Sequence, residues 1–343
     1  MKNTKKTGSG RAMRQRGFSL LEMMVSLAIL LAVSAGVLQM MFQMSMTQAS
    51  VNTRSAMHSN TRSVTEMLQQ EISQAGRVAL PGETTTIGTL VVGATPDTPL
   101  TLTVIVDSTE GMFVGMLLVV DAGTNEETVA VTAIPTAGTP GTITASFTAN
   151  HAVGATIRPT SAFGTGIIMD EAFLEDQTTV APAWSSDGFT LRMFGDINGD
   201  GNMVYLEYIC DPEDDGTGTL TRSEAAWDDG VVGTSQVLLS NVLTSRVDPD
   251  DLTSDEIPCF AYFGDYNSPV PLNSYALTVG ITLSVQGKYP DPQTGNYDRV
   301  TKALLQISPR NINMAYQISS ELAGADDVVP PTPPVIKTML GIP

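Results

Sequence analysis

Between Phe18 and Phe42 the chain is apolar at most positions and charged at one, Glu22. An unbroken run of that length is what a membrane-spanning helix requires. A carboxylate inside such a run costs about 2.5 to 3.5 kcal/mol on insertion scales, so it points to a task carried out in the apolar phase. Beyond the run the apolar spacing changes. Val64, Met67, Leu68, Ile72 and Ala75 recur at intervals of three and four between polar residues, the period of an amphipathic helix. Gly76 and then Pro81-Gly82 supply stop signals. The pattern predicts one helix from Phe18 to about Ala75, roughly 85 Å long. No proline falls between Phe18 and Leu80, so Ser34 and Gly36 are the weak points where a kink would centre.

After Glu83 the period shortens to that of strands. Runs at Thr86–Val92, Leu100–Asp107, Met112–Asp121, Glu127–Ile134, Thr142–Thr148 and Ala155–Arg158 are rich in Thr and Val and separated by Gly and Pro, predicting a small all-β unit, a barrel or sandwich. Further strands are predicted at Phe189–Phe194, Met203–Cys210, Thr219–Ser223, Gln236–Leu243, Cys259–Phe263, Tyr275–Val285 and Val300–Ile307. Their short connections imply a mostly antiparallel sheet. The resulting class is α+β, with a leader at 1–17, a long helix at 18–76, an inserted β module at 83–159, a β head at 160–320 and a Pro-rich tail at 324–343. That tail, with Pro330-Pro331-Thr332-Pro333-Pro334, is expected to be extended and mobile.

Charge adds an orientation. Lys2, Lys5, Lys6, Arg11, Arg14 and Arg16 precede the apolar run with no acidic residue among them, which keeps this leader cytoplasmic and sends the rest of the chain outward. The whole chain has 18 Lys and Arg against 36 Asp and Glu, a net charge of −18 that falls to about −24 once the leader is removed. Such a surface repels phosphate backbones and excludes nucleic acid as a partner through a broad basic patch. The two cysteines, Cys210 and Cys259, fall in the exported part, where an oxidising compartment would let them pair; two separately buried thiols are the alternative. The histidines His58 and His151 stand far apart with no nucleophile pattern beside them, so the chain is not expected to be an enzyme. His151 reads as a turn or packing residue.

The run Arg16-Gly17-Phe18-Ser19-Leu20-Leu21-Glu22, after its basic leader, resembles the processing site of type IV prepilins and type II secretion pseudopilins. That resemblance implies cleavage after Gly17 by a prepilin peptidase, methylation of the new amino group on Phe18, and passage of the helix from the inner membrane into a filament of pilin subunits. It also implies that Glu22, the fifth residue of the mature chain, neutralises the amino terminus of a neighbouring subunit and sets the axial register. An ordinary secretory signal, with small residues at Val33-Ser34-Ala35 before Gly36, is the competing reading, and Glu22 argues against it. In the head, Leu220-Thr221-Arg222, Leu239-Ser240-Asn241-Val242, Phe260-Ala261-Tyr262-Phe263 and the final Ser308-Pro309-Arg310-Asn311-Ile312 are similar to minor pilins of the PilW type and pseudopilins of the GspJ type. The β module, through Val114-Gly115-Met116-Leu117-Leu118-Val119 and His151-Ala152-Val153-Gly154-Ala155, resembles small modules of phage tail and surface proteins.

Asp196-Ile197-Asn198-Gly199-Asp200-Gly201, then Asn202 and Glu207, fits the loop pattern that sets oxygens around Ca2+, with Gly at the sharp turn and Glu closing the shell. Asp196, Asn198, Asp200, Asn202 and Glu207 are therefore candidate calcium ligands. The same Asn-Gly and Asp-Gly steps also favour an ion-free hairpin turn. Two functions remain open on the sequence: a structural minor pilin or pseudopilin, anchored in the bacterial inner membrane with its head in the periplasm before entering a type IV pilus or secretion pseudopilus, or a pilus-tip adhesin using the β module and calcium loop.

Overall fold

A computed structural model describes residues 19–78, 84–86, 95, 98–109, 111–123, 125–159, 163–200, 202–227, 229–248, 251–264, 275–291, 294–321 and 332–342. The leader, the processing residues Gly17 and Phe18, Pro81-Gly82 and most of the strand expected at Thr86–Val92 lie outside them.

Helix α1 (Leu20–Gln74) is continuous through Ser34 and Gly36, and its 55 residues extend roughly 82 Å. Its two halves meet different surroundings. Residues 20–49 are exposed throughout, whereas Met57, Val64, Leu68 and Ile72 are buried against the head. The chain leaves the helix through a tight glycine crossing. Gly76 (φ 81°) donates its N–H to the Phe194 carbonyl, and a Cβ on Gly166 (φ 64°) would lie 2.4 Å from the Gly76 nitrogen, so neither position has room for a side chain.

The first sheet holds β1 (Thr84–Thr85), β2 (Leu100–Val106), β3 (Leu117–Val120), β4 (Glu127–Thr136), β5 (Gly141–Phe147) and β6 (Thr156–Pro159), all antiparallel in the order β1-β6-β3-β4-β5-β2. It curls until Thr86, next to β1, bridges Val106 at the end of β2, giving the small barrel that the Thr/Val alternation predicts. The strand expected over Met112–Asp121 is shorter than its apolar run. Met112 and Phe113 are buried in turns rather than in the ladder, because Gly111 and Gly115 take positive φ around them.

A short helix, α2 (Glu171–Glu175), leads into the head strands β7 (Thr190–Gly195), β8 (Val204–Asp211), β9 (Gly218–Ala226) and β10 (Gln236–Leu243). Then follow β11 (Ser245–Arg246), β12 (Glu256–Ile257), β13 (Phe260–Gly264), β14 (Ala276–Pro290) and β15 (Tyr297–Ile307). Seven of these form one antiparallel sheet, β13-β14-β10-β9-β8-β7 with β15 on the other edge of β14, while β11 and β12 pair separately. Helix α1 lies across β14, β15 and β10, and α3 (Arg310–Glu321) packs beside it. Asn311 at the start of α3 donates its side-chain amide to the Gln74 carbonyl, satisfying an end of α1.

Strand alternation gives β7 and β8 two jobs at once. Leu191, Met193, Leu206 and Tyr208 join the core beneath α1, while Phe194 and Tyr205 join the core of the barrel, together with Leu118 and Val120 on β3 and the loop residues Ile168 and Met203. The module and head therefore share a core, where the sequence pattern suggests separate units. A second correction concerns the tail: Pro334–Leu340 is a helix, α4, with Ile336 fully buried in that shared core and Met339 and Leu340 packed against it. Pro334 at the first turn starts this helix and Gly341 in the left-handed region ends it, so the proline run precedes an ordered element.

Truncating Leu68, fully buried, to Ala should cost the head about 2 to 5 kcal/mol. Leu30→Ala on the exposed half should shift unfolding by less than about 0.5 kcal/mol. Denaturant unfolding of the detergent-solubilised chain checks both.

Candidate functional site

The start of α1 concentrates the chemistry that the chain's own head cannot use. Ser19 caps the helix in extended conformation without a side-chain hydrogen bond to the first turn, although Ser19 and Glu22 have the spacing of a capping box. Glu22 sits in that first turn, its N–H bonded to the Ser19 carbonyl at 2.9 Å, and its carboxylate benefits from the positive end of the helix dipole. Around it Leu20, Leu21, Met23, Met24, Val25 and Leu27 are all more than half exposed. α1 is the one helix among the described residues long and apolar enough to cross a membrane.

The other end of the helix is held by a second carboxylate. Glu71 lies three residues after Leu68 and four before Ala75, so it falls on the buried stripe. Arg222 on β9 donates to both of its oxygens, Nη2 to Oε1 at 2.9 Å and Nε to Oε2 at 3.3 Å, and the Tyr208 hydroxyl donates to Oε2 as well. Burial and then the neighbouring Glu71 carboxylate push the Tyr208 phenol well above its usual range, which keeps it a donor. Burial alone would favour neutral Arg222; its hydrogen bonds to Glu71 and Glu224 outweigh that and raise its pKa.

On the opposite face of the sheet, sharing β8, stands a matching cluster. Arg192 on β7 and Glu207 on β8 are register partners, and their ion pair closes at 2.9 Å with the Tyr205 hydroxyl donating to the same Glu207 oxygen at 3.0 Å. The calcium pattern requires Glu207 to fold back onto its loop; the extended β8 instead carries it three register pairs from Gly195, where β7 ends, and buries it against Arg192. Of the loop residues, Asp196 is buried with Arg77 Nε 3.5 Å from its carboxylate, Asp200 accepts the Asn202 N–H at 2.9 Å, and Asn198 is exposed. Gly201 lies outside the described residues. Among the described residues, no group of three or more His, Cys, Asp or Glu side chains is placed to hold a metal ion.

Cys210 on β8 and Cys259 before β13 are joined by a disulfide with Cα atoms 6.4 Å apart. The bond ties the strand under Glu71's partners to the far side of the sheet and closes a 49-residue separation, worth about 4 kcal/mol in the chain-entropy account. His151 is buried in the barrel, its Nε2 2.6 Å from Glu127 and its ring edge-on to Phe147. Glu127 also receives the Thr148 N–H and hydroxyl and the Ala149 N–H, so the cluster fastens the turn after β5.

With the helix and its lone carboxylate described, comparison with known proteins adds one finding. Residues 12–38 match a family model described as a prokaryotic N-terminal methylation motif. The match supports a type IV pilin-like protein, and such a motif in general implies processing by a peptidase and assembly with other pilins. An exposed apolar helix directly under that motif is consistent with a membrane-anchored pilin. No curated protein and no solved structure matches the chain.

Glu71→Ala, which leaves Arg222 buried without its main partner, should destabilise the head by about 3 to 5 kcal/mol. Glu207→Gln should lower the melting temperature by the same amount with calcium and with chelator, since its partner is Arg192. Thermal unfolding of both variants checks this.

Proposed function

We propose that the chain is a minor pilin or pseudopilin, cleaved after Gly17 by a prepilin peptidase, methylated on Phe18 and assembled through the exposed half of α1 into a type IV pilus or a type II secretion pseudopilus. The observation that carries this reading is the combination of a methylation motif over residues 12–38 with an apolar helix half that the head leaves uncovered. In the bilayer, lipid covers Leu20 to Phe42. In a filament, neighbouring helices do. Only the second environment offers Glu22 a fixed cation, and an amine brought against it in a low-dielectric surrounding attracts it far more strongly than in water.

The head has a different part in this reading. Two buried ion pairs, a disulfide and a shared core make it a rigid body on a long stem, suited to the periplasm and to a subunit whose contacts come from its surface. No nucleophile and base constellation enters the proposal. Removing residues 83–159 would not isolate a module's role, because it would uncover Phe194 and Tyr205, both fully buried.

Mass spectrometry of the chain recovered from cells with a prepilin peptidase should find a mature amino terminus at Phe18 carrying one added methyl group. A terminus near Gly36, the mark of an ordinary secretory signal, would contradict the proposal.

A further inference from the structure

The hairpin of β14 and β15 runs down the stem rather than out into solvent. Lys302 on β15 donates from Nζ to the Thr65 hydroxyl at 3.1 Å, and a Cβ built on Gly287 would touch the Thr53 methyl at 3.6 Å. Lys302 pairs with Leu283, so advancing along β14 from Leu283 to Gly287 corresponds to moving from Thr65 back to Thr53 on α1, toward the membrane half. Lys288 lines a small cleft with Thr53 and Ala56, which places the next residues of the hairpin against the same stretch of helix.

From Gly287 to Asp291 an extended strand covers at most about 13 Å. On the helix that is about nine residues below Thr53, near the level of residue 44. The apolar run ends at Phe42. Leu20 to Phe42 spans about 34 Å, close to the hydrocarbon thickness of a bilayer, so Asp291 comes down near the outer edge of the lipid when the helix is in the membrane.

The residues within about 7 Å above that level, a distance a tyrosine side chain can span, have the chemistry of the interface. Tyr289 and Tyr297 flank the turn and are 56% and 48% exposed, and Lys288 is exposed with Nζ 5.7 Å from the centre of the Tyr289 ring. Tyrosine settles at headgroup depth because its ring is apolar and its hydroxyl wet, and a lysine stem can lie along apolar surface while its ammonium stays among phosphates. Asp291 and Asp298 sit at the turn too, and the head is acidic overall, so net charge alone would not draw this tip to an anionic surface. The aromatic pair and the geometry of the stem do.

We propose that the paired ends of β14 and β15, through Tyr289, Tyr297 and Lys288, are a second membrane contact that rests in the lipid headgroup layer before assembly. It fixes the tilt and rotation of the head over the bilayer. The proposal rests on the reading that the apolar half of α1 is inserted in lipid.

The test uses the full chain in vesicles of phosphatidylethanolamine and phosphatidylglycerol containing brominated acyl chains, with single added tryptophans at Tyr289, at Val180 on the outer head, or at Leu30 in the helix. Emission gained at 289 should be quenched several-fold more than at 180 and less than at 30. Quenching at 30 with none at 289 overturns the proposal alone and assigns the tip to water or to another subunit. Absence of quenching at 30 overturns the membrane reading beneath it.

Discussion

One helix with two solvents is the constraint on which the rest of this molecule depends. α1 has no break, so its apolar half and its docked half cannot choose their environments independently. Each large apolar side chain between Leu20 and Phe42 gains about 1.5 to 3 kcal/mol on burial, and the head buries none of them. Something outside the chain must cover them. Lipid and a bundle of like helices are the two media that can, and the methylation motif over residues 12–38 supports a type IV pilin-like chain.

The head is built so that this long lever stays attached. Below the helix, Glu71 gathers Arg222 and Tyr208; above the barrel, Glu207 gathers Arg192 and Tyr205. Both carboxylates are buried, so each cluster is stabilising only while complete, and loss of one member leaves charge without a partner. Between them β8 carries side chains into two cores, and the Cys210–Cys259 disulfide lies within the one beneath α1. Helix, sheet and barrel therefore act as one body, and a force applied to the stem reaches the barrel through β7 and β8.

Much of this was legible in the residues. The two helix periods, the strand alternation and the lone Glu22 all express short-range rules, and the helix and most strands of the two larger sheets follow them. Glu71 is hidden in the apolar period of the helix, and its partners Arg222 and Tyr208 lie 151 and 137 residues away, a distance no local pattern spans. Glu207 shows how a long-range register adds what spacing leaves open. Its spacing from Asp196 fits a coiled loop, yet a strand alternates faces strictly, and the register that pairs it with Arg192 decides where it goes. The tail misled for a related reason: the proline run dominates its composition, while Ile336, Met339 and Leu340 beyond it find an apolar seat that exists only in the folded molecule.

The central claim is that Glu22 is an assembly residue and has no part in the stability of the head. Substituting Glu22→Ala and measuring the chain in sheared filaments against the membrane fraction tests it most directly. The account predicts a chain still processed to Phe18, a head with unchanged melting temperature, and at least a tenfold loss from the filament fraction with retention in the membrane. Filament entry at the unsubstituted level would contradict it.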